Sequence, residues 1–413
     1  ALRVLNFYVG MENREGIQNA HDALPFPPDP AAWLPDANAK NGNHHKAEVP
    51  SYLILMARDY FSATGDLAGI EPFYARLAYN LRIQEPSKNG ILPYATDESY
   101  TNSPQTRPKH GEEMTDSHLL FIAAARFMVD LANRLGKTED AADFQKRLQH
   151  AENQLLKRMW LPAENYFAYA RDDSDDPSKI DHRPAFDALL RYFWLEMGDP
   201  QDSIAKGCLA KVLTDLTNPI RVVPEHPWCT GMDLGYLLYA LSRSQHPAAH
   251  RAAELMEKYA SSTGLFSEYY AYQGNSLIVP EGGTMRPWES SINATALLQY
   301  LTGLRVDMPG GKIYVQPHLP PGNDSWEVKR FPVGKEGFLQ MELKKENGMV
   351  SLQVSGEFEQ AMLLDMEFGL FGKALESKSD WLSPKNGRKD LLGGTFELPA
   401  GDFLLAFDFQ VVE

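Results

Sequence analysis

Apolar side chains recur at every third or fourth position up to about residue 303, which is the period of an amphipathic helix. The pattern predicts helices over 1–9, 46–64, 68–84, 115–135, 138–158, 183–197, 201–216, 230–244, 247–262 and 288–302. Short turns of Gly, Pro and Asp join some neighbours, as in αα-hairpins. The other links are long, at 10–45, 85–114, 159–182, 217–229 and 263–287. Loops of such length are uncommon unless they are functional.

The alternation of short and long links has a geometric consequence. In a stack of antiparallel helix pairs, all short turns lie at one end and all long loops at the other. Helices that follow a long loop, such as 115–135, are rich in apolar and small residues, whereas partners such as 138–158 are amphipathic. We therefore predict an inner and an outer ring, an (α/α)6 toroid. Five helices of each kind are counted and six are needed, so we expect an upstream polypeptide segment of about two helices to complete the barrel.

The pattern changes after Leu304. Residues 305–324 are rich in Pro and Gly, and runs of period two follow at 337–343, 349–354, 361–366 and 403–409. This alternation, with the turn signal Asn347-Gly348, is typical of an antiparallel β-sandwich. We predict a helical domain over 1–304 and a C-terminal β-sandwich domain over 305–413.

Composition narrows the range of partners. A net charge of −15 and a pI near 5.2 argue against nucleic acid, because no basic stretch offsets the repulsion. Two cysteines imply no disulfide framework and no Cys/His zinc site. No apolar run approaches the roughly 20 residues that cross a bilayer, and no metal or cofactor is expected. The acidic run 171–176 is interpreted as a solvated loop, with a calcium loop as the alternative.

The long loops carry many carboxylates, aromatic residues and a few histidines, which would converge on one rim of the toroid. Such a mixture fits carbohydrate, since sugar rings stack on aromatic faces while hydroxyls bond to carboxylates and Arg. Glycoside hydrolysis needs a carboxylic acid for the leaving oxygen and a second carboxylate to activate water, about 6.5–9.5 Å apart in inverting enzymes. Candidates for this chemistry are Glu98, Glu112, Glu113, Glu268, Glu281 and Glu289.

Two local motifs resemble the six-hairpin (α/α)6 glycosidase superfamily, which includes trehalase, glucoamylase, the processing α-glucosidases, α-L-rhamnosidases and disaccharide phosphorylases. Residues 266–270, Phe-Ser-Glu-Tyr-Tyr, followed by Trp288-Glu289-Ser, are similar to an element near the end of the trehalase and glucoamylase barrels. The resemblance implies that Glu268 is the general base. Residues 95–100, Ala-Thr-Asp-Glu-Ser-Tyr, resemble a phosphorylase element and imply that Glu98 is the general acid.

A third motif leaves the base open. Residues 283–289, Gly-Thr-Met-Arg-Pro-Trp-Glu, resemble the rhamnosidase element that carries the base, so Glu289 competes with Glu268. We favour Glu268, because a Glu in the first turn of a helix is also stabilising for structural reasons. For the acid, Glu112 or Glu113 is the alternative to Glu98, although helix capping is their simplest interpretation. The exit from the barrel, 303–320, also resembles rhamnosidases and phosphorylases.

The sequence thus predicts an inverting glycoside hydrolase that cleaves an α-linked glycoside, in the manner of a glucosidase, trehalase or rhamnosidase. The predicted substrate-binding residues are Trp228, Asp233, Tyr269, Tyr270, Arg286 and Trp288. Capping explains Asp233 equally well, and core packing explains the tryptophans equally well. The alternative functions are a disaccharide phosphorylase of the same fold, a polysaccharide lyase that uses Tyr100 and His110, and a non-catalytic carbohydrate-binding protein.

Overall fold

The computed structural model describes residues 49–84, 86–93, 111–214, 228–273, 276–278, 285–369, 375–377, 382–385 and 388–411. The predicted helix 1–9 and Glu98 lie outside these residues. The chain divides into two compact units. Described residues up to Cys229 form the first unit, except for Phe61–Asp66, which group with Thr230 and the residues after it in the second.

Helices form where the apolar period predicts them. In the described ranges they are α1 Val49–Thr64, α2 Leu67–Ile70, α3 Tyr74–Ile83, α4 Thr115–Arg134, α5 Thr138–Gln154, α6 Phe186–Trp194, α7 Ser203–Thr214, α8 Gly231–Arg243, α9 Ala249–Tyr259 and α10 Pro287–Thr302. None of these helices is long and apolar enough to span a membrane.

Two of the helix predictions need correction. The segment 68–84 is not one helix, because a 3-10 turn at Glu71–Phe73 separates α2 from α3. Pro72 lies in that turn and lacks the N–H that a continuous helix would use. The segment 138–158 ends as α5 at Gln154 and continues as the π-helical turn Leu155–Met159.

Burial separates the two predicted classes of helix. Fifteen of the twenty residues of α4 are buried, against four of the seventeen in α5, which packs against it. In the second unit, eleven of the thirteen residues of α8 are buried, against four of the eleven in α9. The helices that follow long loops also contact each other within each unit, α4 with α6 and α8 with α10. The predicted difference between helices after long loops and their partners is confirmed for these pairs, while closure into a toroid stays a prediction.

The long loops have more structure than the sequence predicts. Their short strands are β1 Glu113–Met114, β2 Trp160–Leu161, β3 Tyr166–Phe167, β4 Ala170–Arg171, β5 Ile180–Asp181, β6 Trp228–Thr230, β7 Phe266–Ser267, β8 Tyr269–Gln273, β9 Ser276–Ile278 and β10 Met285–Arg286. In the first unit β4 pairs with β1 and β5, and β2 pairs with β3. In the second, β7 pairs with β10 and β8 with β9. These ladders hold the loop backbones in place.

After Leu304 the described chain is β-rich. Its strands are β11 Arg305–Asp307, β12 Lys312–Val315, β13 Ser325–Val333, β14 Gly337–Glu346, β15 Met349–Phe358, β16 Met362–Gly369, β17 Leu375–Ser377, β18 Ser383–Lys385, β19 Arg388–Leu398 and β20 Gly401–Val411. They form two five-stranded sheets, in the orders β11-β12-β16-β19-β18 and β13-β14-β15-β20-β17. The expectation of a wholly antiparallel region is wrong at one pair, since β12 and β16 run parallel.

The inner side chains of both sheets form one hydrophobic cluster. Phe368 of β16 stacks on Phe409 of β20 with ring centroids 4.1 Å apart, and Phe396 of β19 meets Phe407 of β20 edge to face. Each pair joins one sheet to the other. Period-two alternation therefore places the apolar residues of both sheets in a shared core.

Candidate active site

Three segments of the second unit meet at the beginning of α8. The N–H of Gly231, the first residue of this helix, donates to the main-chain oxygen of Glu268 (3.1 Å). Glu268 follows β7, whose Ser267 pairs with Met285 of β10. Strand β10 continues directly into α10, which carries Glu289 in its first turn. The two competing base candidates therefore lie on segments that contact the same residue.

Gly231 and Gly235 allow an unusually close approach at this place. A Cβ atom on Gly231 would lie 2.3 Å from the main-chain oxygen of Ser267 and 3.0 Å from Cγ of Glu289. A Cβ atom on Gly235 would lie 2.6 Å from Oδ1 of Asn293. Residues four apart share one helix face, so these glycines form the contact surface of α8 toward α10. The sequence analysis missed this face, although the spacing of the two glycines could have indicated it.

Glu268 has the environment of an accessible carboxylate. Its side chain is half-buried, as is that of Tyr269, whereas Tyr270 is 1% exposed. The Tyr270 hydroxyl donates to the main-chain oxygen of Tyr259 (3.0 Å) and accepts from the N–H of Ser267 (3.0 Å). Tyr270 thus anchors the turn that presents Glu268 and Tyr269.

Glu289 and Asp233 lie at the starts of two helices and are both buried, at 0% and 1% exposure. The main-chain N–H of Thr230 donates to Oδ2 of Asp233 (2.8 Å), so this carboxylate caps α8. Glu289 occupies the corresponding first turn of α10, where the helix dipole favours a negative charge. The predicted capping role of Asp233 is present, and its role in binding sugar stays a prediction.

The remaining predicted residues are placed as follows. Arg286 lies in β10, opposite Phe266, and Trp288 lies in the first turn of α10. Trp228 begins β6. The structure brings Glu268, Glu289 and Asp233 to one neighbourhood, while Glu98 lies outside the described residues.

Glu113 is a buried structural carboxylate and not a helix cap. The residue that precedes α4 is Met114, and Glu113 belongs to β1. Ser87 and Asn89 donate to its Oε1 (2.8 and 2.7 Å), and Nε of Arg158 donates to Oε2 (2.6 Å). The capping interpretation is therefore wrong for Glu113, because its oxygens bind these donors. Glu112 is exposed.

The interpretation of 171–176 as a solvated loop is wrong at its first residue. Arg171 is 7% exposed and donates to the main-chain oxygens of Arg158 and Ser174. Arg158 also binds Asp175 (2.9 Å). Burial lowers the pKa of Arg158, but its hydrogen bonds to Glu113 and Asp175 outweigh this effect and raise the pKa overall. Arg171 thus belongs to the buried ion-pair network at Glu113, whereas residues 172–176 are half-buried or exposed, as the solvated-loop interpretation predicts.

The described residues contain no group of three or more His, Cys, Asp or Glu side chains that could hold a metal ion. In the segment 171–176, Asp173 pairs with Lys88 (3.2 Å) and Asp175 pairs with Arg158 (2.9 Å), both within the first unit.

No protein-family model and no curated protein sequence matches this chain. Solved structures do. The α-L-rhamnosidase from Dictyoglumus thermophilum matches 88% of this chain and 39% of its own, at a TM-score of 0.56 and 13% identity. The Streptomyces avermitilis α-L-rhamnosidase complexed with L-rhamnose matches 89% of this chain and 32% of its own, at a TM-score of 0.54 and 12% identity. A sialidase matches 76% of this chain and 30% of its own, at a TM-score of 0.53 and 11% identity.

These similarities define the fold of the chain. It has a six-hairpin glycosidase-like fold, as the resemblance predicted. A helical region followed by a β-rich region is the rhamnosidase-like architecture. The chain spans less than half the length of each of the three proteins named above, and at this identity the similarity shows the fold alone.

Proposed function

We propose that this chain acts as an inverting glycoside hydrolase on an α-linked glycoside. The observation that carries the proposal is the meeting of Glu268, Glu289 and Asp233 around Gly231 in a fold shared with α-L-rhamnosidases. Paired carboxylates are what glycoside hydrolysis requires. The similarity in fold supports the general class of glycoside hydrolase, and the carboxylates near Gly231 support hydrolysis of a glycosidic bond.

In this proposal Glu268 is the general base. A base must reach a water molecule at the anomeric carbon, and the side chain of Glu268 is half-buried while that of Glu289 is fully buried. Tyr270 and Gly231 hold the turn from both sides, which keeps the carboxylate in position. The side chain of Glu289 packs against Gly231 and so supports the residue that binds the main chain of Glu268.

Glu98 is proposed as the general acid, with Glu112 as the alternative. Glu113 is the weaker candidate, because Ser87, Asn89 and Arg158 bind both of its oxygens. A general acid must carry a proton and release it to the leaving oxygen. Three donors inside the protein already bind the oxygens of Glu113, so these oxygens are not available to a substrate.

Sugar binding is assigned to Trp228, Tyr269, Arg286 and Trp288, with Asp233 contributing through the end of α8. Tyr270 is assigned a supporting role, since its hydroxyl binds two main-chain groups. For the architecture we propose that residues 1–304 belong to an (α/α)6 toroid and residues 305–413 to a β-sandwich. The two sheets joined by Phe368 and Phe409 support the second assignment.

The decisive experiment is a panel of α-linked glucosides, trehalose and α-L-rhamnosides, with NMR detection of the anomer first released. We expect hydrolysis with inversion of configuration. Glu268→Gln should lower kcat by at least about 100-fold, since removal of one general base has effects of 10²–10⁴. Glu254→Gln, on the exposed surface of α9, is the control and should leave kcat unchanged.

Two results would contradict the assignment. If Glu268→Gln keeps wild-type turnover while Glu289→Gln abolishes it, Glu289 is the base. If product forms only when inorganic phosphate is present, the reaction is phosphorolysis and the protein is a phosphorylase.

A further inference from the structure

Asn293 is a buried amide in the second turn of α10, with 1% of its surface exposed. Its Nδ2 donates to the main-chain oxygen of Gly231 (2.9 Å). Its Oδ1 has no hydrogen-bond partner among the described residues. Burying an amide with only part of its hydrogen-bonding capacity used is unfavourable, so this residue needs an explanation other than core packing.

The residue that Asn293 binds, Gly231, is also the residue that contacts both base candidates. Gly231 donates its N–H to the main-chain oxygen of Glu268 and faces the side chain of Glu289 with its Cα atom. Gly235 leaves the space that Asn293 occupies, because a Cβ atom there would lie 2.6 Å from Oδ1. One side chain thus connects α10 to α8 at the point where α8 meets the Glu268 turn.

We propose that Asn293 is a positioning residue for the proposed base: it holds Gly231, and through Gly231 it fixes the main chain at Glu268. The inference rests on the proposed function for its effect on catalysis, but the hydrogen bond that it invokes can be tested without a substrate.

The physical argument concerns precision. Gly231 has no side chain, so only its main-chain bonds and the close approach of Ser267 and Glu289 restrain its position. Without the bond from Asn293, the carbonyl of Gly231 loses its tie to α10, and the N–H bond to Glu268 can shift with it. A displacement of about 1 Å between catalytic groups reduces rates by about 100-fold.

The test compares two substitutions of buried amides on the same helix in the full chain. Asn293→Leu keeps a side chain that branches at Cγ, although a bulkier one, and removes the donor. Gln299→Met also removes an amide donor, at a position that is 3% exposed and lies more than one turn further along α10. We expect Asn293→Leu to lower kcat by about 10- to 100-fold with KM within about twofold, whereas Gln299→Met should leave both near the wild-type values.

Hydrogen exchange provides the second readout. The amide of Gly231 should exchange faster in Asn293→Leu than in the wild type and in Gln299→Met. Gly235→Ala reaches the same contact from α8, because its new methyl group displaces Asn293, and it should reproduce both effects. It keeps the proposal falsifiable if Asn293→Leu does not fold.

Failure of the two proposals can be distinguished. A wild-type protein that cleaves no glycoside overturns the proposed function, and the exchange of Gly231 alone then decides whether Asn293 holds it. Equal exchange of Gly231 in Asn293→Leu and Gln299→Met overturns the positioning role. So does a kcat of Asn293→Leu equal to that of Gln299→Met in an active enzyme.

Discussion

At the scale of single residues, three glutamates of this chain have different environments. Glu268 is half-buried beside the start of α8, Glu289 is fully buried on Gly231, and Glu113 is fully buried among hydrogen-bond donors. The sequence places Glu113 before a helix, Glu289 in a first helical turn and Glu268 in a long loop, but it does not show which of them is buried. The difference arises from partners far away in the chain, such as Arg158 for Glu113, which local patterns do not contain.

The pairing of Glu113 with Arg158 leads to a stability prediction. Arg158→Met should lower the free energy of unfolding by about 3–5 kcal/mol, because it leaves a buried carboxylate without its closest cation. Arg134→Met should change it by no more than about 1 kcal/mol, since the Arg134–Asp130 pair on α4 is exposed. Urea denaturation of both variants is the measurement. Equal decreases in the free energy of unfolding of the two variants would show that the Glu113–Arg158 pair does not stabilise the protein more than an exposed pair does.

At the scale of elements, the sequence located the end of α10 and the turn between β14 and β15 well. Gly303 follows α10 with a φ of +58°, and its N–H donates to the main-chain oxygen of Gln299 (2.8 Å). Asn347 and Gly348 have φ of +51° and +78° and join β14 to β15. Glycine and asparagine tolerate the left-handed region, so these residues alone are enough to locate a helix end or a tight turn in the sequence.

Gly303 also supports a prediction about its element. A Cβ atom there would lie 2.2 Å from Cβ and 2.5 Å from the main-chain N of Gln316, in addition to the unfavourable φ. Gly303→Ala should therefore destabilise the second unit by more than the 1–2 kcal/mol that the left-handed conformation alone costs. Gly264→Ala is the matched control, because Gly264 has a φ of +76° and no atom within 4 Å of the added methyl group.

Thermal unfolding of the two glycine variants makes the comparison. The larger decrease in Tm should belong to Gly303→Ala. Equal decreases would mean that the junction between α10 and β11 moves apart without cost, contrary to the close contact with Gln316.

At the scale of the whole molecule, the described residues of each unit include one fully buried histidine. Burial lowers the pKa of His118 in the first unit and of His318 in the second to about 4. His118 contacts the main-chain oxygen of Ala151 (2.9 Å), and His318 that of Tyr300 (2.7 Å). Both side chains are therefore neutral in the folded protein over most of the pH range.

These histidines predict how stability depends on pH. Between pH 6.5 and 4 the unfolded chain binds a proton at each histidine that the folded chain does not bind, so stability decreases as the pH falls through this window. Each contributes a loss of about 2 kcal/mol by pH 5. The free energy of unfolding should decrease less between pH 7 and pH 5 in His318→Gln than in the wild type. An unchanged difference would show that His318 does not titrate in this way.

The sequence alone determined the positions of the helices, the change to strands after Leu304 and the general fold, since hydrophobic periodicity and turn residues act over short distances. Pro72 is a local signal in the sequence that could have indicated the break in the predicted helix 68–84. The sequence could not show that the long loops pair as strands, because such pairing depends on segments that meet only in the folded chain. The tertiary structure decided which carboxylates are accessible and which are structural. Burial and hydrogen-bond partners are set by packing between residues distant in sequence, as at Gly231, where α8, α10 and the Glu268 turn come together.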